Sequence, residues 1–517
     1  MRSLFSLLAA ALVLVASGCL PDDDPDGGTL RFPNGFRWGV ATAAHQIEGG
    51  NTNNNWYQFE TLPAFAGKVH DPSGQAGDSW RLYDVDAKLA QGLGVKDYRF
   101  SIEWSRVEPQ RDQWDEAALQ HYDEVIDSAR ARGLRPVITL HHFTDPIWVL
   151  ELRELDACNK AKAPLGDKNL CGWQNPEVVD EYVEFVRKVV ERYGDRVDMW
   201  MTFNEPMVPI VVGHVFGVFP PGQIGSSWDD VVLPMLRNMI SAHARAYDVI
   251  KQVDTVDADG DGHAAQVGFS QSVAWYVAGK PDQQDSVDAA AQAERFMNFA
   301  FVDGTQKGAL DTTLDGTFNE EHAEWTGKLD FVGLQYYYRA PTVKLELFKP
   351  MVFAPCLSII ENTFPSALKL LGCPPVDRSK LTLMGYEHEP EGLYRVAAQF
   401  ARRFPKLPMI ITENGISTRS GERRAQSIVR HLEWVHRALQ DGIDIRGYYH
   451  WSLFDNFEWA EGYGQFFGLY SLDRATFERK PTLGADVYQQ IARRNALPLE
   501  LRASYGGDGP LAEEPRD

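Results

Sequence analysis

Basic residues are few in this chain of 517 residues. Lysine and arginine total 51 against 72 aspartate and glutamate residues, so the formal net charge is −21. A protein that binds nucleic acid needs a basic face for the phosphate backbone, and no basic patch with interleaved aromatic residues is present. The composition therefore argues against nucleic acid as a partner. The acidity itself is most simply a solubility feature.

The chain shows no apolar run long enough to span a bilayer. The run at 4–16 follows Arg2 and is too short for a membrane helix, which is typical of an export signal. Small residues then precede Cys19, as in the lipobox of bacterial lipoproteins, whose cysteine is lipidated. We therefore predict a signal segment at 1–19 and a membrane-anchored lipoprotein. An ordinary periplasmic or secreted protein is the alternative.

Cysteine is also rare, with five residues in all and no Cys-x-x-Cys spacing to indicate a metal site. Four remain after Cys19, and an exported chain favours disulfides. Three pairings are possible. We predict the two local ones, Cys158 with Cys171 and Cys356 with Cys373, because each closes a short loop and lowers the entropy of the unfolded chain.

What the chain does contain is a regular alternation of strand-like and helix-like segments between 30 and 503. A flexible acidic tether is predicted before it at 20–29 and a disordered tail after it at 504–517. Strands are predicted at 36–43, 97–104, 136–142, 199–205, 266–271, 330–337, 409–413 and 445–453. Eight strands with helices between them indicate an α/β fold, a single (β/α)₈ barrel with elaborated loops.

Two of these strands end in a glutamate, Glu205 and Glu413. Barrels of this class place their chemistry at the carboxyl ends of the strands, and a buried glutamate is costly without a role or a cation. Two such carboxyls can flank a glycosidic bond, one as acid and one as nucleophile. The acid needs a raised pKa, and Arg99 on the second strand is expected to lower the pKa of Glu413.

An acidic segment at 257–262 matches the first half of a calcium-binding loop, beginning with Asp257 and including Asp261. The glutamate expected at its twelfth position is missing, because Gly268 stands there. A structural Ca²⁺ at this loop is one expectation, and a polar surface turn is the alternative. The reaction itself needs no cofactor, since it moves only protons and a glycosyl group.

Motifs across residues 32–481 resemble those of glycoside hydrolase family 1, the β-glucosidase family. They are Phe-Arg-Trp-Gly at 36–39, Gln-Ile-Glu-Gly at 46–49, Tyr-Arg-Phe-Ser-Ile-Glu-Trp-Ser-Arg at 98–106, Thr-Phe-Asn-Glu-Pro at 202–206, Ile-Thr-Glu-Asn-Gly at 411–415, and the segment 448–459. Each motif is moderately specific, and all of them in this order are very specific.

The resemblance implies a role for each site residue. Glu205 would be the general acid/base, and Glu413 the nucleophile of a retaining double displacement. Tyr337 would hydrogen-bond the nucleophile, and Phe467 would wall the pocket. The terminal sugar would be held by Gln46, His142, Asn204, Glu458 and Trp459, above a platform formed by Trp451. His141 is left as structural.

Two positions bear on specificity. Gln335 stands where the family usually has asparagine, so its longer amide is expected to shift a hydrogen bond near the acid or the leaving group. Glu458 would repel phosphate, whereas relatives that act on 6-phosphorylated sugars usually have serine there.

The sequence therefore predicts a retaining exo-β-glycosidase, foremost a β-glucosidase with possible galactosidase or fucosidase activity on a glycoside or oligosaccharide. A catalytically silent sugar-binding barrel and a transglycosylase are the alternatives. The sequence indicates no oligomeric state.

Overall fold

The computed structural model describes residues 28–360 and 366–515, and a closed barrel of eight parallel strands forms its centre. The strands are β1 Arg37–Ala41, β2 Asp97–Ser101, β3 Arg135–Thr139, β4 Met199–Asn204, β5 Gln266–Ala278, β6 Val332–Phe348, β7 Met409–Asn414 and β8 Ile445–Trp451. They pair in chain order, and β8 pairs with β1 to close the ring. The predicted fold class is confirmed. Strand β5 is longer than predicted because its second half pairs with the extension of β6.

Helices connect consecutive strands and cover the barrel. They are α1 Ser79–Leu93, α2 Glu116–Ala131, α3 Glu177–Tyr193, α4 Leu233–Val253, α5 Gln284–Ala293, α6 Ala300–Lys307, α7 Glu391–Arg403, α8 Gly421–Gln440 and α9 Leu483–Arg494. The starts of α2 and α3 follow from local chemistry. Asp115 accepts hydrogen bonds from the backbone N–H groups of Ala117 and Ala118, and Asn175 accepts one from that of Glu177.

Smaller elements decorate this frame. Short helices lie at Ala44–Ile47, Asn55–Thr61, Trp104–Val107, Leu155–Ala161, Ala367–Leu370 and Leu499–Tyr505. Strand Met351–Pro355 pairs antiparallel with β6 outside the barrel. Antiparallel pairs join Leu30–Arg31 to Ala496–Leu497, Ala309–Leu310 to Glu320–Glu321, and Tyr470–Leu472 to Arg479–Pro481. In the described ranges, no helix is both long and apolar enough to cross a membrane.

The lower half of the barrel interior is filled with side chains. An apolar cluster there includes Val137, Met199, Met201, Phe331, Ile410 and Tyr449. Beneath it, Asp97 accepts hydrogen bonds from Arg37, Arg135 and Tyr449. The floor is therefore closed, and polar side chains at the carboxyl ends of the strands have access to solvent only from the opposite mouth.

The two local disulfides are present as predicted, Cys158 with Cys171 and Cys356 with Cys373. The first holds the loop after β3, and the second holds the loop after β6. Both loops follow the carboxyl ends of their strands, on the side of the barrel where it opens.

The ends of the chain are described only in part. The signal segment, Cys19 and the tether as far as residue 27 lie outside the described residues. Gly28 is already buried, and its carbonyl accepts a hydrogen bond from Arg502.

Residues 504–515, predicted as a disordered tail, make contacts with the barrel. Arg430 donates hydrogen bonds to the carbonyls of Tyr505 and Gly509, and Arg423 pairs with Glu514. Two arginines of α8 therefore hold this segment, although its composition is typical of disorder.

The calcium prediction stays a prediction. Carboxylate oxygens of Asp198, Asp257 and Asp259 lie within 4.8 Å of one another near the barrel floor. Oxygens of Asp198 and Asp257 already accept backbone N–H groups of the loop, and Arg37 and Arg135 lie 3.8 and 3.7 Å from Asp259. These N–H groups and arginines offset part of the negative charge of the loop.

A buried ion pair connects α1 to the C-terminal hairpin and yields a stability prediction. Arg479 contacts Asp86 at 3.0 Å, and both side chains are 1% exposed. Replacing Arg479 with methionine should lower the free energy of unfolding by about 3–5 kcal/mol, because the Asp86 charge is left buried without its partner. Denaturant unfolding measures the loss. Adding Asp86→Asn should restore part of it, and an unchanged unfolding midpoint in the single variant would contradict this account.

Candidate active site

Glu413 lies at the carboxyl end of β7, between two hydrogen-bond donors. Arg99 Nη1 lies 2.5 Å from its Oε1, and the Tyr337 hydroxyl donates to its Oε2 at 2.7 Å. The predicted contact with Arg99 is present. Burial nevertheless raises the pKa of Glu413 above its ordinary value, while Arg99 and Tyr337 pull the pKa down. Arg99 thus lowers the pKa of Glu413 as predicted, but burial outweighs this effect and the net shift is upward.

Glu205 follows β4 directly and adopts a left-handed backbone conformation, with φ of +45°. Such a conformation is uncommon for a residue with a side chain, and it is held here by a 2.7 Å hydrogen bond from the Glu205 N–H to the carbonyl of Ser270. The side chain is walled by protein but keeps some surface open to the pocket. Burial, and then the charge of Glu413, raise the pKa of Glu205 to about 8.

The two carboxyls therefore differ in their partners. Glu413 has a guanidinium and a phenol within hydrogen-bond distance, whereas Glu205 has the hydroxyl of Ser272 and only a more distant effect of Arg99. A carboxyl with a cation beside it loses its proton first. Of the two carboxyls, Glu413 is therefore the one whose ionised form is better stabilised, and Glu205 is the one whose protonated form is favoured.

Arg99 is fully buried and also holds two other side chains of the site by hydrogen bonds. Its Nη2 donates to Asn204 Oδ1 at 2.6 Å, and its Nε donates to Thr139 at 3.0 Å. A guanidinium has only donors, so the Asn204 atom that faces it must be the oxygen. The amide nitrogen of Asn204 is thereby left as a donor for a ligand.

Several polar atoms of the site are buried without a partner among the described residues. They include Gln46 Oε1, His142 Nδ1 and Gln335 Oε1. Gln46 is fixed by hydrogen bonds from its amide nitrogen to Asn456 and the Phe457 carbonyl. The pKa of His142 lies well below its ordinary value because of burial and then Arg99, so its ring is neutral. Unpaired buried atoms are costly, and a polyhydroxylated ligand supplies the hydrogen bonds that they lack.

Aromatic rings form the remaining walls. Trp459 stacks between His45 and His142, with ring centroids 5.8 and 5.9 Å away. The Trp451 ring lies 6.2 Å from that of His142. The indole of Trp451 hydrogen-bonds Glu458. Burial, and then the charge of Glu413, raise the pKa of Glu458 to about 8.

The other side of the pocket is completed by Phe467. Its ring lies edge-on to Tyr337 at 5.8 Å and packs in one cluster with Trp451. The structure thus brings together all the predicted site residues. His141 instead pairs with Asp145 at 2.9 Å, which agrees with the structural role left to it.

Two residues that contact the central groups were not predicted. Ser272 hydrogen-bonds Glu205, and Thr139 accepts from Arg99. Ser272 lies one residue beyond the predicted end of β5, the least regular strand in the sequence. Thr139 has the β-branched side chain typical of any strand, so its sequence gives no sign of its contact.

Comparison with known proteins decides the family. The sequence model described as glycosyl hydrolase family 1 matches residues 29–497. This chain belongs to glycosyl hydrolase family 1. The predicted resemblance and the prediction of a glycoside hydrolase, a retaining exo-β-glycosidase, are thereby confirmed at the level of the family.

Individual members of the family cover nearly the whole chain. A beta-galactosidase of Pyrococcus woesei is 32% identical over 91% of this chain and 98% of its own length. Beta-glucosidase A of Thermotoga maritima is 30% identical over 90% and 99%. Among solved structures, a beta-glycosidase from Pyrococcus horikoshii superposes with a TM-score of 0.76 at 32% identity, over 93% of this chain and 99% of its own. The Thermotoga maritima beta-glucosidase in complex with deoxynojirimycin gives 0.74 at 27%, over 90% and 99%.

Proposed function

We propose that this family 1 hydrolase removes terminal β-D-glucosyl residues, with Glu413 as nucleophile and Glu205 as general acid/base. The observation that carries the proposal is the unequal environment of the two carboxyls. Arg99 and Tyr337 contact Glu413, whereas Glu205 has no cation within hydrogen-bond distance among the described residues. One carboxylate and one carboxylic acid are what a retaining double displacement requires.

The first step follows from these protonation states. A Glu413 oxygen attacks the anomeric carbon as the bond to the leaving oxygen breaks, and the proton of Glu205 moves to that oxygen. A covalent glycosyl ester of Glu413 remains. Esterification removes the negative charge that helps to raise the pKa of Glu205, so that pKa falls. Glu205 then takes a proton from water, the water attacks the anomeric carbon, and the sugar leaves with its configuration retained.

The sugar preference rests on the polar wall formed by Gln46, His142, Asn204 and Glu458, above Trp451. Their free acceptors and donors suit neighbouring hydroxyls, and the indole face suits the apolar face of the ring. Burial and the nearby Glu413 raise the pKa of Glu458 to about 8, so negative charge is already unfavourable at this place and a phosphate there is disfavoured. Relatives carry both the glucosidase and the galactosidase names, which supports activity on glucosides and galactosides.

A panel of p-nitrophenyl glycosides tests the proposal. The panel holds the β-glucoside, β-galactoside, β-fucoside, β-mannoside and 6-phospho-β-glucoside. We expect strong turnover of the β-glucoside and none of the phospho-sugar. A preference for the phospho-sugar would overturn the role given to Glu458, and no turnover of any glycoside would overturn the proposed activity.

The pH dependence is a further prediction. For a glucoside with a poor leaving group, kcat/KM should fall as pH rises through about 8, because Glu205 then loses the proton that it must donate. It should also fall at low pH, where Glu413 is protonated and cannot attack. Because burial raises the pKa of Glu413, this limb should lie at higher pH than for an ordinary glutamate. The measurement is kcat/KM against pH. In Glu205→Gln, assayed with an activated aryl glucoside, the alkaline limb should vanish; its persistence would assign that limb to another group.

We also propose that the chain is exported and anchored through a lipid on Cys19. Support comes from the apolar segment that ends in small residues before this cysteine, and from the two disulfides, which are typical of proteins outside the cytoplasm. Expressed in a bacterium, the full chain should fractionate with membranes, and Cys19→Ser should release it. Equal fractionation of the two proteins would contradict the anchor.

A further inference from the structure

The orientation of Asn204 depends on a second residue, Gln335. Because Arg99 donates to Asn204 Oδ1, any other polar atom close to that oxygen must also be a donor. The Gln335 side chain reaches it at 2.7 Å, so the nearer atom is its amide nitrogen, Nε2. The assignment of both amides thus follows from the guanidinium, which carries no acceptor.

The same reasoning places the other atom of the Gln335 amide. Its Oε1 is on the far side from Asn204 and is buried without a partner among the described residues. Gln335 itself is 0% exposed. A buried carbonyl oxygen without a donor destabilises the protein, so a donor brought by a ligand is favoured there.

Gln335 also lies between the two carboxyl groups in the barrel wall. On β6 it is in register with Ser272 of β5 on one side and with Glu413 of β7 on the other. Residues in register on parallel strands direct their side chains to the same face. Gln335 therefore lies between Ser272, which hydrogen-bonds Glu205, and Glu413, the second carboxyl of the site.

We propose that Gln335 is a positioning residue that makes the enzyme require the sugar hydroxyl next to the breaking bond, at C2. Its Nε2 and Arg99 together hold Asn204 so that the Asn204 Nδ2 faces this hydroxyl as a donor. Its Oε1 is the acceptor available to the hydroxyl proton. The inference rests on the proposed function, since it concerns the sugar that this function places in the pocket.

The test compares the p-nitrophenyl β-glucoside with its 2-deoxy analogue in wild type and in Gln335→Met. Methionine keeps the length of the side chain but neither donates to Asn204 nor accepts from the hydroxyl. We expect kcat/KM on the glucoside to fall about tenfold, since two modest hydrogen bonds are lost or loosened. On the 2-deoxy glucoside it should change by less than about twofold, because the group that these bonds recognise is absent.

A second variant and a control keep the result interpretable. Gln335→Leu should also lose discrimination, because its side chain has a similar size but no amide that could donate to Asn204. The control is Gln271→Met on β5. Gln271 is equally buried and also has an unpartnered Oε1, but its nitrogen donates outward to the Met297 carbonyl. We expect Gln271→Met to leave the glucoside to 2-deoxyglucoside ratio unchanged.

The outcomes separate the inference from the function on which it rests. Equal losses on both substrates in the Gln335 variants, or unchanged glucoside activity in a folded Gln335→Met, would overturn the inference while wild-type activity upholds the function. An inactive wild type would overturn the function itself.

Discussion

Replacing Glu413 with alanine is expected to lower kcat on aryl glucosides by roughly 10⁴-fold or more, because no other group can form the glycosyl ester. Azide should restore turnover, since it is small enough to occupy the space left by the carboxylate. It then attacks from the side that Glu413 occupied. The product should be the α-glycosyl azide, identified by the coupling constant of its anomeric proton.

A matched control separates chemistry from folding. Glu108 is another buried glutamate, held by Trp104 and the Asp112 N–H in the loop after β2. The activity of Glu108→Gln per folded molecule should equal that of the wild type. Recovery of the β-azide from Glu413→Ala would assign the nucleophile to another residue.

The second large effect concerns Glu205→Ala and depends on the leaving group. For a disaccharide or an alkyl glucoside, kcat/KM should fall by about 10²–10⁴-fold, because the departing oxygen receives no proton. For a dinitrophenyl glucoside, kcat/KM should change little, because that oxygen leaves without one. Turnover should still be slow and KM low, since the second step lacks its base and the glycosyl ester of Glu413 accumulates.

Azide gives this variant a distinct product. It attacks the accumulated ester from the face that Glu205 normally serves, and so should yield the β-glycosyl azide. Equal losses with good and poor leaving groups would remove Glu205 from the acid role. Opposite azide configurations from the two variants would establish both roles in one pair of experiments.

The local sequence alone was sufficient to predict the eight strands and the two glutamates at strand ends. Glu205 and Glu413 each end a continuous apolar strand, and the barrel requires such residues to meet at one mouth. The pKa values of these two glutamates were harder to predict from the sequence. Arg99 was predicted beside Glu413, but the net pKa depends on how completely the surrounding loops exclude water, and no short motif encodes that.

The remaining misses involve partners far apart in the chain. Asn204 and Gln335 are 131 positions apart, and the hydrogen bond between them forms only when β4 and β6 pair with the two sides of β5. The segment 504–515 has the composition of a disordered tail, yet Arg423 and Arg430 donate hydrogen bonds to its carbonyls from 89 and 79 residues earlier. Composition describes a segment alone, whereas these contacts depend on the surface it meets.

The place where the chain enters the barrel has a consequence for access to substrate. Gly28 contacts Arg502, the pair of Leu30–Arg31 with Ala496–Leu497 follows, and β1 then begins at Arg37, beside the floor. Any anchor upstream of Gly28 thus attaches at the end opposite the pocket. A molecule of this protein anchored through Cys19 would be held from the floor of the barrel, so the attachment itself would leave the mouth of the pocket unobstructed.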